Sequence, residues 1–266
     1  MMKHISLLLI GVILTQNVVA KTNRNAPQGH KGILNPYTPG PFDMTLENDD
    51  EKTLGKGNPV MKQIPAADGS AGGSAICVQD IEAPKSAVWN QILDLDHYTD
   101  KVKQLKECRN YYVKANPDGS TTMKTKQVIG VLPGYKYENY YDHLYRPETD
   151  SVTWSLDYDK TSDFDDAAGH WHVEVKFLAF NLAHYVILSY QFPFIPSLQK
   201  DHPKKPGCSR VFYACDLKFK RSLPKPIMNI LQSTALKQAT AWVKKESESA
   251  PDNTIPAEFV PEFAVQ

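Results

Sequence analysis

Net charge is the first thing this chain lacks: 30 lysines and arginines balance 30 aspartates and glutamates over 266 residues. Without a basic excess the chain as a whole has no electrostatic footprint for nucleic acid or for an anionic membrane, so any such contact must be local. No Cys-x-x-Cys pair occurs among Cys77, Cys108, Cys208 and Cys215, so neither a zinc ribbon nor a thioredoxin-type site is suggested. Those cysteines either form disulfides, whose connectivity spacing does not reveal, or are buried small side chains. There is no Asn-x-Ser/Thr acceptor, so N-glycosylation lends no support to secretion. A Gly-x-Ser-x-Gly elbow, a Gly-rich phosphate loop and a His-Glu-x-x-His helix are also missing, and no cofactor is implied.

Long apolar runs are scarce as well. The start, MMKHISLLLIGVILTQNVVA, has an apolar run over residues 5–14, shorter than the roughly 20 residues of a bilayer-spanning helix. Its basic start, and Val18 and Ala20 before a cut near Lys21, read as a secretory signal peptide over 1–20. That places the mature chain on the secretory route, secreted or in an endomembrane lumen. The second run is FLAFNLAHYVILSYQFPFIP, and no Asp, Glu, Lys or Arg occurs in residues 178–199. Asn181, His184 and Gln191 interrupt it and Pro193 and Pro196 break its far end, which disfavours a membrane span.

Residues 21–74 are rich in Pro, Gly, Asn and Asp without sustained periodicity, the composition of a flexible arm that buries too little to offset its ordering entropy. Ile33, Tyr37 and Phe42 are its candidate contacts with the folded part. Residues 250–266 form a similar C-terminal tail. Between them SAICVQDIEA reads as a strand and APKSAVWNQILD as a helix with Val88, Trp89, Ile92 and Leu93 on its apolar face. LDHYTDKVKQL predicts a second short helix. CRNYYVKA, TTMKTKQVIGVL, YKYENYYDHLY, SVTWSLDYD, GHWHVEVKF and SRVFYACDLKF then alternate with period two, separated by turn residues, as antiparallel neighbours do. Residues 224–248 return to helical period, with Ile227, Leu231, Thr234, Ala235, Gln238 and Trp242 on one face. The order predicts an α+β domain over 75–249, a curved seven-stranded antiparallel sheet around a long C-terminal helix.

VQDIEAPKSAVWNQILDLDHYTDKV and LPKPIMNILQSTALKQATAWVKKESE resemble the opening and the C-terminal helix of the START and polyketide cyclase (SRPBCC) superfamily, the helix-grip fold. LDYDKTSDFDDAAGHWHVEV resembles the acidic turn and Gly-x-Trp strand of its coenzyme Q-binding branch. The resemblance covers about residues 74–248 and rests on structural motifs, so it bears on fold more than on function. It implies a cavity between sheet and helix for a hydrophobic ligand such as a sterol, phospholipid, quinone or polyketide. Residues 178–207 depart from the pattern as an insertion between the sixth and seventh strands. They are either an extra strand or an apolar flap that touches a lipid surface beside Lys200, Lys204 and Lys205.

Strand alternation places Trp171, Val173 and Val175 on the inner face and His170, His172 and Glu174 on the outer one. Tyr213 and Leu217, and Trp154 and Tyr158, face inward by the same rule. The inner face of YKYENYYDHLY carries Tyr137, Tyr141 and Tyr145 together with Asn139 and His143. With Leu231 and Trp242 of the last helix, these residues make the expected cavity lining: aromatic surface with a few polar tips, suited to an apolar ligand bearing a polar head. Tyrosines packed on the helix are the alternative. His170-x-His172 lacks a third ligand for a metal, and the acidic run from Asp157 to Asp166 lacks the spacing of a calcium loop and reads as a solvated turn. The expectation is a non-enzymatic binder, and possibly a carrier, of a lipid, sterol or quinone. The alternative is a cyclase-type enzyme using His143 as acid or base.

Overall fold

The period-two runs pair into one antiparallel sheet. The computed structural model describes residues 22–65, 73–132, 135–176, 208–220 and 225–249, with backbone alone at 63–65, 73–75, 131–132, 135 and 225–235. Its strands are β1 (Val60–Pro65), β2 (Gly73–Ile81), β3 (Leu105–Ala115), β4 (Thr121–Leu132), β5 (Tyr135–Arg146), β6 (Ser151–Leu156), β7 (Phe164–Lys176) and β8 (Cys208–Phe219). They lie in the order β1-β2-β8-β7-β6-β5-β4-β3. The helices are α1 (Asn48–Gly55), α2 (Lys85–Leu93), α3 (Tyr98–Lys101) and α4 (Lys225–Ser249). From β2 onward this is the helix-grip arrangement: strand, short helices, meander, long helix. α3 is shorter than the sequence suggests, because Val102 already turns extended (φ −117°, ψ 103°) to deliver buried Leu105 into β3.

α2 buries Ala87, Val88, Trp89, Ile92 and Leu93. They form the main core with Ile81, Met123, Trp171, Val211 and Val243, and full burial of such a side chain contributes roughly 1.5–3 kcal/mol. α4 runs along the inner face beside β2: Cys77 Sγ lies 3.1 Å from Thr240 Oγ1, and Lys244 Nζ donates to the Asp80 carbonyl at 2.9 Å. No helix among the described residues is long and apolar enough to cross a membrane. Cys77, Cys108, Cys208 and Cys215 are all free thiols.

The outer face of the sheet differs from expectation. Residues 22–65 are not a loose arm: they lie across that face and add α1 and an eighth strand, β1. Leu54, Val60, Ile76, Val78, Phe212 and Ala214 make a second core, with Tyr37, Phe42, Met44 and Leu46 packed on it. The reason is that β2 and β8 are apolar on both faces, and an uncovered outer face would leave Ile76, Val78 and Phe212 in water. Arm residues need no periodicity of their own to fit a surface that the sheet has already formed.

The acidic run is the arm's anchor rather than a solvated turn. Arg24 donates to Asp163 at 2.8 Å, Gln28 Nε2 to the carbonyls of Phe164 and Asp165 at 2.9 Å each, and the amides of Ile33 and Leu34 to Asp166 at 2.6 and 2.7 Å. Burial alone would raise the Asp166 pKa, but those amides and the Tyr158 hydroxyl hold it below the usual carboxylate range. Asp157 is also buried, bonded by Lys124 Nζ at 2.8 Å and the Tyr111 hydroxyl at 2.6 Å. Arg210 clamps α1 through Glu51 at 2.5 and 2.7 Å while holding Asp80 at 2.7 Å. Val175 also departs from expectation, standing exposed near the end of β7.

Candidate functional site

Between the inner face and the helices is a cavity of about 300 Å³. β5 supplies Tyr141 and His143, and its neighbours β4 and β6 supply Met123, Ile129, Val152 and Trp154. β7 and β8 add Phe164, Trp171, Tyr213, Cys215 and Leu217. Ile92, Leu93, Leu95, Tyr98, Val102 and Leu105 close one side, and Gln238, Ala239 and Trp242 of α4 cover the rest. Gln104 and Gln238 are the exposed members of this lining. No Asp, Glu, Lys or Arg is among the described residues that line it.

The aromatic side chains are held by one another. Trp171 stacks on Tyr213, with ring centroids 3.9 Å apart and planes at 23°. Trp154 meets Tyr141 edge-on at 5.4 Å. Trp154 also lies on Gly169, its cross-strand partner, where a Cβ would come within 2.1 Å of the indole Cζ2. Only a glycine there lets the indole lie against the sheet, and this sets the floor of the cavity. Tyr98, edge-on to Trp242 at 4.8 Å, commits its hydroxyl to the Ile92 carbonyl.

The polar groups of the wall are few. His143 is 7% exposed, and its Nε2 has no protein partner. Burial lowers its pKa from 6.5 to about 3, so the imidazole is neutral. Gln127 of β4 also lines the cavity, whereas Asn139, on the same face of β5, is not in the wall and accepts from the Phe164 amide through Oδ1 at 2.9 Å. Burial pushes the Cys215 thiol up to about 12, which makes it a poor nucleophile.

The expected lining divides as follows. Tyr141, His143, Trp154, Trp171, Tyr213, Leu217 and Trp242 meet at the cavity. Tyr145 is on the same face of β5 but packs 5.1 Å from Trp89 inside the main core. Val173 is in that core too, beyond the cavity's reach. Tyr137 is not in the lining but packs behind it, 5.3 Å from the lining residue Phe164 and 5.9 Å from Phe219. Tyr158 follows the end of β6, where alternation no longer applies, and donates instead to Asp166 at 2.8 Å. The side chain of Leu231 lies outside the described residues, as do the leader 1–20, the insertion 178–207 and the tail 250–266.

Met123 and Ile129 were legible but unused: Lys124 and Lys126 mark the outward face of β4 and so place their neighbours inward. The wall from Leu95 to Leu105 runs through a 3₁₀ turn and α3, and its lining side chains Leu95, Tyr98 and Val102 fall at helical spacing. His170 and His172 face outward, yet both are buried beneath the arm, Phe42 lying 4.4 Å from the His170 ring. Among the described residues no group of three His, Cys, Asp or Glu side chains could hold a metal ion.

Strand order, the helices after β2 and the grip of α4 on the inner face decide the architecture. The fold is of the START type. Solved structures similar to it include a protein from Thermus thermophilus (13% identity, TM-score 0.46, covering 67% of this chain and 99% of that one). A START superfamily protein from Mycobacterium smegmatis is similar at 13% identity and TM-score 0.46, covering 66% of this chain and 98% of that one. The Zhui aromatase/cyclase from Streptomyces sp. R1128 is similar at 11% identity and TM-score 0.43, covering 66% and 93%. No protein-family model matches the chain, and no curated protein does. The narrower likeness to a coenzyme Q-binding branch gains no support from these structures. The expectation that the chain is not an enzyme is corrected: aromatase/cyclases are among the solved structures of START-type fold, so the architecture does not set catalysis aside.

Proposed function

We propose that this chain binds a hydrophobic small molecule, of lipid, sterol or quinone type, between the sheet and α4, and carries it between membranes. The observation that carries the reading is the cavity itself: about 300 Å³, walled by aromatic and aliphatic side chains, with no charged residue among those described. That volume is at the lower end of small-molecule pockets, roughly 300–1,000 Å³, and suits a compact ring system better than a two-chain lipid. In the same proposal residues 1–20 take the chain onto the secretory route, and residues 178–205 touch the membrane surface. Native mass spectrometry of the full chain after exposure to lipid extract is the test, with transfer of a quinone or a sterol between liposomes as the second arm. A chain that stays ligand-free and moves neither compound would end this reading.

A second reading, catalysis on a polyketide-like substrate, is favoured by one observation: His143 lines the cavity. With a pKa of about 3 and no carboxylate among the described lining residues, the imidazole is a weak base until a substrate changes its surroundings. Product formation that disappears in His143→Phe while binding persists would favour it.

A further inference from the structure

We infer that Trp154 sets the size of the molecule this cavity holds, admitting a compact two-ring system and turning away a four-ring one such as a sterol. This rests on the reading of the cavity as a ligand site and narrows the class of ligand.

Trp154 belongs to an inward row that crosses the sheet at one level. Met123 of β4 pairs with His143 of β5, His143 with Trp154 of β6, Trp154 with Gly169 of β7, and Gly169 with Cys215 of β8. Met123, His143, Trp154 and Cys215 line the cavity, and Gly169 is covered by the indole. Beyond β6 the row thus drops to no side chain at all and then to a small one, which makes a trough in the wall. The Nε1, Cε2 and Cζ2 edge of the indole occupies it, within 2.7 Å of where a Cβ at 169 would stand. Ala167, the next inward residue of β7, is small as well and fully buried.

No other large side chain among the described lining residues stands over such a space. Tyr141, Phe164, Trp171 and Trp242 are only 3–9% exposed and belong to the cores around the cavity. Tyr213 is partly buried like Trp154, but its ring stacks on Trp171 at 3.9 Å, so removing it would bare another aromatic ring. Trp154 packs against both the main core and the cluster of Tyr141, Leu156, Phe164 and Ala167, and so divides them. Gln127, Tyr141 and Tyr213 put polar groups in the same wall; these bear on where a ligand's own polar atom sits, not on how large the ligand is. His143 Nε2 is sealed inside the wall and meets nothing in the cavity. At about 300 Å³ the space is small, and a densely packed wall yields little to extra ring atoms.

The test uses the full chain and two uncharged probes read by their own fluorescence, naphthalene and pyrene. Burying the further rings of pyrene would by itself tighten binding about tenfold. The expected result is that the unmodified chain denies pyrene this gain and binds it no tighter than naphthalene. Trp154→Ala and the milder Trp154→Leu both release it, so that pyrene then binds about tenfold tighter than naphthalene. Gly169→Ala acts in the opposite direction by driving the indole into the cavity: it weakens naphthalene several-fold, and has little effect on either probe in the Trp154→Ala background. A side chain that only supports the fold would weaken both probes together, and circular dichroism checks that each variant is folded. If naphthalene binds but pyrene already binds about tenfold tighter in the unmodified chain, or if neither Trp154 variant changes the ratio of the two affinities, this inference is overturned and the cavity reading stands. If neither probe binds any of these proteins, both are overturned.

Discussion

Replacing Gly169 by Ala tests how the cavity floor is built. A Cβ at this position would lie 2.1 Å from Trp154 Cζ2, 2.2 Å from Cε2 and 2.7 Å from Nε1. Carbon atoms settle at about 3.5–4.0 Å, so the indole must retreat by about 1.5 Å, away from the sheet and into the cavity. Overpacking of this kind costs about 1–3 kcal/mol, and the edge contact with Tyr141 at 5.4 Å is put at risk as well, worth about 0.5–1.5 kcal/mol. The expected loss for Gly169→Ala is about 3 kcal/mol. In a Trp154→Ala background the obstacle is gone, and Ala in a strand is then favoured over Gly by about 0.5 kcal/mol, so the substitution should stabilise. Urea denaturation of the four proteins, followed by far-UV circular dichroism, yields a coupling of about 3.5 kcal/mol. Equal costs in the two backgrounds would show that the indole does not rest on Gly169. The same retreat shrinks the cavity, so Gly169→Ala should also weaken ring-compound binding.

His143 and His170 have pKa values lowered by burial from 6.5 to about 3 and about 4. The unfolded chain therefore takes up both protons first as pH falls. Their effect on stability is absent above about pH 6.5 and grows toward pH 4, reaching about 2 kcal/mol lost per histidine at pH 5. Urea midpoints measured from pH 7.5 to 4.5 should show this, with His143→Phe removing about 1.4 kcal/mol per pH unit from the slope below 6.5; an unchanged slope would refute it. Phe42→Ala should cost about 2 kcal/mol, as for a half-buried aromatic, and raise the His170 pKa toward its ordinary value by letting water reach the ring. An NMR titration of the imidazole reads this directly, and an unmoved pKa would mean that Phe42 does not shield His170.

Much of the inner architecture was legible because period-two alternation states which side chains share a face. Trp154 and Val152, Tyr141 and His143, Trp171, and Tyr213 and Leu217 all declared themselves this way. Alternation does not say how far along the strand a side chain sits from the cavity. Tyr137, Tyr145 and Val173 share the inner face with the lining residues, yet they pack against other core side chains and are not in the cavity wall. Tyr158 failed for a different reason, since the pleat stops at Leu156 and the next residues turn. The arm was misread because composition reports what a segment can bury by itself. Ile33, Tyr37 and Phe42 needed only a ready surface, and Phe212, Ala214, Ile76 and Val78 were the unread sign that one existed.

The sequence by itself determined the strands from β2 onward, α2, α4, their order and the inward face of each, because helix and strand periods are local properties of neighbouring side chains. The tertiary structure alone decided that Trp154 rests on Gly169, that the arm closes the outer face through Asp163 and Asp166, and that His143 ends up buried in the wall of a cavity with no charged side chain among its described lining residues. Those facts depend on which distant residues register across the sheet and what covers each face. The carboxylate of Asp166 and the amides of Ile33 and Leu34, more than 130 residues apart, carry no mark of one another until the chain has folded.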